Sequence, residues 1–93
     1  MNNQNVFIRL IDEGILIIQG LLGQSAYSIY FSRYKRMIAN LEDLKIGIQK
    51  GILSENFIYL GVTQMLNDND PKQLENVILA INKFYCENFR EFI

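Results

Sequence analysis

Carboxylates are the residues of this 93-residue chain that come closest to a catalytic or metal-binding pattern. Asp12-Glu13 and Glu42-Asp43 are adjacent pairs, and adjacent residues on a helix point in different directions, so neither pair converges on one reacting atom. We interpret both pairs as structural acids of helix ends and helix faces. Asp68 and Asp70 resemble the start of a calcium loop, but the glycine and the distant glutamate of such a loop are missing. The sequence therefore predicts no metal and no cofactor.

Nucleophiles and general bases are equally scarce. The chain has no histidine and one cysteine, Cys86, so a zinc site has too few ligands. Its serines lack a histidine that could activate them. A single cysteine forms no internal disulfide and suits a reducing compartment, and we interpret Cys86 as a small buried hydrophobic residue. We therefore expect a cytoplasmic protein that is not an enzyme.

Charge is distributed unevenly along the chain, although the net charge is only −1. Residues 33–54 carry five basic and two acidic side chains, net +3, and residues 55–93 carry three basic and six acidic side chains, net −3. The basic patch Arg33–Arg36 lies among aromatic residues, a combination that can bind nucleic acid. We assign those aromatic residues to the core, and a pI near 5.3 is unusual for a phosphate binder. Nucleic acid is therefore not an expected partner.

The longest stretch without a charge is Gly14–Ser32. Gly23-Gln24-Ser25 within it is typical of a helix end followed by a new N-cap at Ser25. The apolar run is thereby shortened to Gly14–Leu22, which is too short to cross a membrane. We expect no membrane span and instead a helical corner buried in the core, with Ile18 and Leu22 among its buried side chains.

Apolar residues recur with helical periodicity along most of the chain. The pattern predicts an all-α fold, a compact antiparallel bundle of about four helices at 4–22, 25–50, 54–67 and 71–92, in a single domain 1–93. The region 25–50 is either one helix, with Tyr27, Tyr30, Phe31 and Tyr34 on its core face, or two helices with the second capped by Asn40. We expect Gly61 to permit close approach of another helix.

The beginning of the last helix has the clearest local pattern. Asp70 is predicted as its N-cap, Pro71 as its first helical residue and Gln73 as the distal residue of a capping box. This helix end also lies within the acidic half of the chain.

A family resemblance rests on the segment Leu21-Leu-Gly-Gln-Ser-Ala-Tyr-Ser-Ile-Tyr-Phe-Ser-Arg-Tyr34. It resembles small helical immunity proteins of the colicin D and contact-dependent growth inhibition type. In those proteins a Ser/Thr-Ala pair opens a second helix that carries Phe-Ser and a nearby Arg. The matching residues here are Ser25-Ala26 and Phe31-Ser32-Arg33.

The resemblance implies an antitoxin that binds a toxin nuclease domain in a 1:1 complex and covers its active site. A nuclease cleft is basic because it holds phosphate, so its inhibitor is expected to present carboxylates. The predicted partner-binding residues are Asp68, Asp70, Glu75, Glu87 and Glu91. The same acids could equally be solvated residues of a capped helix. A second hypothesis is a helical oligomerisation or regulatory adaptor that forms a homodimer, because 49% of the chain is hydrophobic.

Overall fold

The computed structural model describes residues 3–50 and 61–88, and these are almost entirely helical. The elements are α1 (Asn3–Leu22), a 3-10 helix (Ser25–Tyr30), α2 (Phe31–Lys50), α3 (Gly61–Gln64) and α4 (Lys72–Asn88). The predicted all-α bundle is confirmed. Residues 54–60 and 89–92 of the predicted helices lie outside the described residues.

Helix α1 lies between α2 and α4 and contacts both along its length. On the α2 side, the Gln4 side-chain amide donates to the Ile48 carbonyl at 2.7 Å, and the Lys45 ammonium lies 2.8 Å from the Asp12 carboxylate. On the α4 side, the Phe7 and Phe84 rings stack with their centroids 5.8 Å apart. The buried residues of α1 recur every three or four positions: Phe7, Ile11, Gly14, Ile18 and Leu21. This spacing gives α1 one face that both neighbouring helices share.

Gly14 is a point of close packing between α1 and its two neighbours. A Cβ atom placed there would lie 3.3 Å from Ile81 Cδ1 of α4 and 3.4 Å from Leu41 Cδ1 of α2. Side chains from the two outer helices therefore meet over the bare backbone of α1, and a larger residue at Gly14 would push them apart.

The core prediction for the first helix is correct in part. Ile18 is fully buried, as expected, whereas Leu22 is only half-buried at the edge of the core. Among the described helices, none combines the length and the apolar character that a membrane crossing requires.

The region 25–50 resembles the one-helix prediction, with a change of helix type at Phe31. The 3-10 helix runs directly into α2, and Asn40 lies inside α2 rather than at a helix start. The predicted N-cap at Ser25 is wrong. Gln24 occupies the cap position with an extended backbone (φ −104°, ψ 125°), and its side chain makes no capping hydrogen bond.

The close approach expected at Gly61 is confirmed. A Cβ atom there would lie 3.1 Å from Asn40 Nδ2, so α3 packs tightly against the middle of α2. On its other side α3 contacts α4, where Thr63 Oγ1 donates to Asn82 Oδ1 at 3.1 Å. Short as it is, α3 connects the two outer helices.

Candidate functional site

The most extensive polar cluster among the described residues joins the start of α2 to the loop before α4. Arg33 Nη1 donates to Asp70 Oδ2 at 2.9 Å and Arg33 Nη2 donates to Asp70 Oδ1 at 2.5 Å, so the pair is bidentate. Tyr34 Oη donates to Oδ1 at 2.9 Å, and the Asn67 backbone N–H donates to Oδ2 at 2.9 Å. The Asp70 side chain is 0% exposed and the Arg33 side chain is 15% exposed. This geometry is that of a strong, charge-assisted structural pair.

Burial and hydrogen bonding act in opposite directions on Asp70. Burial by itself raises the pKa of the carboxyl group, but the bonds from Arg33, Asn67 and Tyr34 outweigh it and hold the pKa below its usual value. For Tyr34, burial and the hydrogen bond to Asp70 both raise the pKa, to about 12. The hydrogen bond to Asp70 likewise raises the pKa of Arg33. The cluster is therefore a charged pair with a neutral tyrosine beside it at neutral pH.

Tyrosines hold the guanidinium of Arg33 from its other faces. The Arg33 Cζ atom lies 5.2 Å from the Tyr30 ring centroid and 4.9 Å from the Tyr34 centroid, within cation–π range. Tyr27 completes the group, with its ring centroid 6.5 Å from that of Tyr30 and 6.4 Å from that of Tyr34. Arg33 Nη1 also donates to the Met65 carbonyl at 2.8 Å. These contacts fix the 3-10 helix and the loop before α4 relative to each other.

The position of Asp70 corrects its predicted role as a surface acid and helix N-cap. Its carboxylate points inward to Arg33 and Tyr34, and α4 begins at Lys72, one residue later than predicted. The physical reason is the turn in which the Asp70 N–H donates to the Asn67 carbonyl at 3.0 Å. In that turn the Asp70 carboxylate points towards Arg33 of α2.

The other predicted acids are not gathered into one patch by the described residues. Asp68 is exposed, Glu75 lies 2.9 Å from the Lys72 ammonium, and Glu87 lies 4.0 Å from that of Lys83. Glu75 and Glu87 are twelve positions apart on α4, which is about 18 Å along a helix axis. Glu91 lies outside the described residues. The outer face of α4 therefore alternates in charge, and the partner-binding role of Asp68, Glu75 and Glu87 stays a prediction.

A different surface stands out at the corner between α1 and α2. We define the corner surface as the exposed side chains of the uncharged segment 25–32, namely Ser25, Ala26, Ser28, Ile29, Phe31 and Ser32. None of the residues of the 3-10 helix is buried. Ile29 is 80% exposed and Phe31 is 48% exposed. The prediction that this corner is buried in the core is wrong for the six residues of the corner surface, Phe31 among them, whereas Tyr27 and Tyr30 are half-buried and pack against the core.

The change from α-helix to 3-10 helix explains this difference. A 3-10 helix has three residues per turn, so residues three apart lie above one another. Tyr27 and Tyr30 share one such line and are half-buried, and Arg33, three residues further in the first turn of α2, is half-buried as well. The other two lines, which contain Ile29 and Phe31, face solvent. An α-helical period would place Phe31 near Tyr27 on the inner face, which is why the sequence pattern suggested a core position.

Two basic side chains lie one helical turn beyond the corner surface. Lys35 Nζ lies 5.1 Å from the Phe31 ring centroid, and both Lys35 and Arg36 are exposed. Neither takes part in an ion pair with another residue of the ranges 3–50 and 61–88. We call Lys35 and Arg36 the basic rim. The corner surface and the basic rim together combine exposed apolar groups, hydroxyl groups and positive charge.

A groove and the region around the cysteine offer less for chemistry. The groove is shallow, about 270 Å³, lies between α1 and α4, and is lined by Leu10, Glu13, Ile17, Gln73, Asn76, Val77 and Ala80. Within the described ranges no three Cys, Asp or Glu side chains come together as a metal would require. Cys86 is half-buried rather than buried, with Asn82 Nδ2 lying 3.8 Å from its Sγ.

No protein-family model, no curated protein and no solved structure matches the chain.

Proposed function

We propose that the protein binds a second protein and neutralises it, in the manner of the small helical immunity proteins that residues 21–34 resemble. The partner is a toxin domain, with a nuclease as the class that the resemblance implies. The contact is made through the corner surface. The observation that carries this proposal is the pair of large apolar side chains, Ile29 and Phe31, exposed within a segment that has no charge.

Composition supports the corner surface as a protein contact. Aromatic side chains are enriched at the centres of protein interfaces, where they supply large apolar area at a small entropic cost. Serine hydroxyls supply adaptable hydrogen bonds around them, as in the binding loops of antibodies. In this chain Phe31 and Ile29 provide the apolar area, and three of the six residues of the corner surface are serines.

The fixed conformation of the 3-10 helix also supports the corner surface as a protein contact. A segment already fixed in its bound conformation loses less conformational freedom on binding than a flexible loop does. The 3-10 helix is held from beneath by Tyr27, Tyr30 and Arg33, and Arg33 is bound in turn by the buried Asp70. The acids on α4 have a weaker claim as the main contact, because Glu75 and Glu87 each lie near a lysine.

The test is binding and rescue with the product of the gene adjacent to this one. The two proteins are purified and titrated by calorimetry, and the toxin is expressed in cells with and without this chain. We expect a 1:1 complex and restored growth. If the neighbouring protein is toxic and this chain neither binds it nor restores growth, the proposal is wrong.

A second candidate function is self-association, and one observation favours it. Leu16 is 68% exposed on α1, and its neighbour in sequence, Ile17, lines the shallow groove between α1 and α4. A homodimer that covered Leu16 would fit the adaptor hypothesis. Light scattering at micromolar concentration separates the two, since the immunity function requires only a monomer that binds its partner.

A further inference from the structure

We infer that the partner surface which meets the corner surface is apolar at its centre and lined with carboxylates, and that it lies outside the phosphate-binding cleft of the partner. This inference rests on the proposed function and adds the chemistry of the contact. It differs from two expectations of the resemblance, that acids of this chain enter a basic nuclease cleft and that the chain covers the active site itself.

The apolar side chains of the corner surface lie close to the basic rim. Ile29 and Phe31 are two residues apart, so their Cα atoms are at most about 7 Å apart. Both are exposed, and the Lys35 ammonium lies over the Phe31 ring at 5.1 Å. A protein that covers Phe31 must therefore also cover or closely approach Lys35. Arg36 follows Ser32 by four residues and so lies one turn along the same helix.

The basic rim is positively charged. Arg33 is neutralised by Asp70, but the two cations of the basic rim have no acidic partner among the described residues. Covering such a cation with a neutral or basic surface removes its hydration without replacement, which weakens binding. A surface that brings carboxylates opposite Lys35 and Arg36 replaces that hydration and speeds association. Because a phosphate-binding cleft is itself basic, it would repel the basic rim.

Apolar area decides between a protein and a nucleic acid as the occupant. Ile29 is aliphatic, 80% exposed and cannot stack on a base, and the six residues of the corner surface contain no charge that could hold a phosphate. A carboxylate-lined apolar patch on a protein satisfies both Ile29 and the basic rim. Short single-stranded RNA is the competing anion and forms one arm of the test.

The experiment reverses the charge of the basic rim and measures binding to the product of the adjacent gene. The double variant Lys35→Glu/Arg36→Glu is titrated beside wild type and a control, Lys83→Glu, which makes the same kind of change on an exposed lysine of α4. We expect the double variant to bind at least about tenfold more weakly at low salt. The difference should shrink as salt is raised to about 0.5 M, and Lys83→Glu should change the affinity less than about threefold.

Each outcome is decisive. Unchanged or tighter binding by the double variant overturns the inference and leaves the proposed function standing. Failure of wild type to bind a toxic neighbour overturns the proposed function, and the inference with it. A fluorescent RNA oligonucleotide is titrated in parallel, and RNA binding that the double variant abolishes also overturns the inference. The thermal unfolding of each variant is also measured, and a midpoint temperature equal to that of wild type shows that the fold is intact.

Discussion

The ion pair between Arg33 and Asp70 is the centre of a network of hydrogen bonds. Its carboxylate accepts four hydrogen bonds, two from Arg33 and one each from Tyr34 and the Asn67 backbone. Removing one partner of such a pair leaves the other charge poorly solvated, which costs far more than losing an exposed pair. The pair therefore stabilises both the fold and the conformation of the corner surface.

The substitution Asp70→Asn tests that role. It keeps the shape of the side chain but removes its charge, and we expect the free energy of unfolding to fall by about 3 kcal/mol. Urea denaturation followed by circular dichroism measures the change. The control is Asp68→Asn, an exposed residue in the same loop, which should change the stability by about 0.5 kcal/mol or less. Similar losses in both variants would show that Asp70 is not a buried partner of Arg33.

The raised pKa of Tyr34 predicts that the protein loses stability at alkaline pH. Its pKa is raised to about 12 in the folded protein, while the pKa of an unfolded tyrosine is about 10. A raised pKa contributes stability that is complete below the unfolded pKa and is lost as pH rises through the folded pKa. Wild type should therefore lose stability between those two values. Tyr34→Phe should be less stable at neutral pH, by about 1 kcal/mol, and should show a smaller alkaline loss. Parallel curves for the two proteins would contradict this account.

The sequence pattern does not predict the cluster around Arg33 and Asp70, because these two residues are far apart in the chain. Arg33 and Asp70 are separated by 37 positions, and each has a local pattern with another meaning. Asp before proline is typical of a helix N-cap, and Arg33 stands at the head of a basic run that suggests a solvated face. The three-residue spacing of Tyr27, Tyr30 and Arg33 was the one local indication that this arginine faces inward.

At the scale of the helices, the sequence pattern predicts most of what the structure shows. Helix α1 ends at Leu22, the residue predicted, because the apolar periodicity stops there and Gly23 follows. The corner at 25–30 was misassigned because apolar residues spaced at three and four positions fit either helix type. Because the helix type changes, Phe31 lies on the surface instead of in the core. The candidate site therefore lies on a segment that the sequence pattern assigns to the core.

Substitutions at two glycines of α1, Gly14 and Gly20, separate the effect of packing on stability from the effect of helix propensity. At Gly20 an added Cβ atom would have no neighbour within 4 Å, so Gly20→Ala should raise the free energy of unfolding by about 1 kcal/mol. At Gly14 the methyl groups of Ile81 and Leu41 leave no room for a large side chain, so Gly14→Leu should lower it by about 2 kcal/mol. Thermal or urea denaturation measures both. Stabilisation by Gly14→Leu would mean that α2 and α4 do not meet over this residue.

For the molecule as a whole, the described residues separate into a stabilising interior and one distinctive surface. The interior comprises the face of α1 shared by α2 and α4, together with the buried pair of Arg33 and Asp70. The distinctive surface is the corner surface with its basic rim. The long uncharged stretch 14–32 thus contributes to both, with Gly14, Ile18 and Leu21 of its first half in the core and most of its second half exposed.

The dissociation constant of the complex, with Ile29 and Phe31 replaced, tests the proposed contact most directly. Ile29→Ser/Phe31→Ser is titrated against the product of the adjacent gene beside the control Leu16→Ser/Leu79→Ser, which removes two other exposed apolar side chains. We expect the corner variant to bind at least about thirtyfold more weakly, equivalent to about 2 kcal/mol, while the control binds within about threefold of wild type. Equal affinities of the corner variant and wild type would contradict the assignment of the corner surface as the binding site.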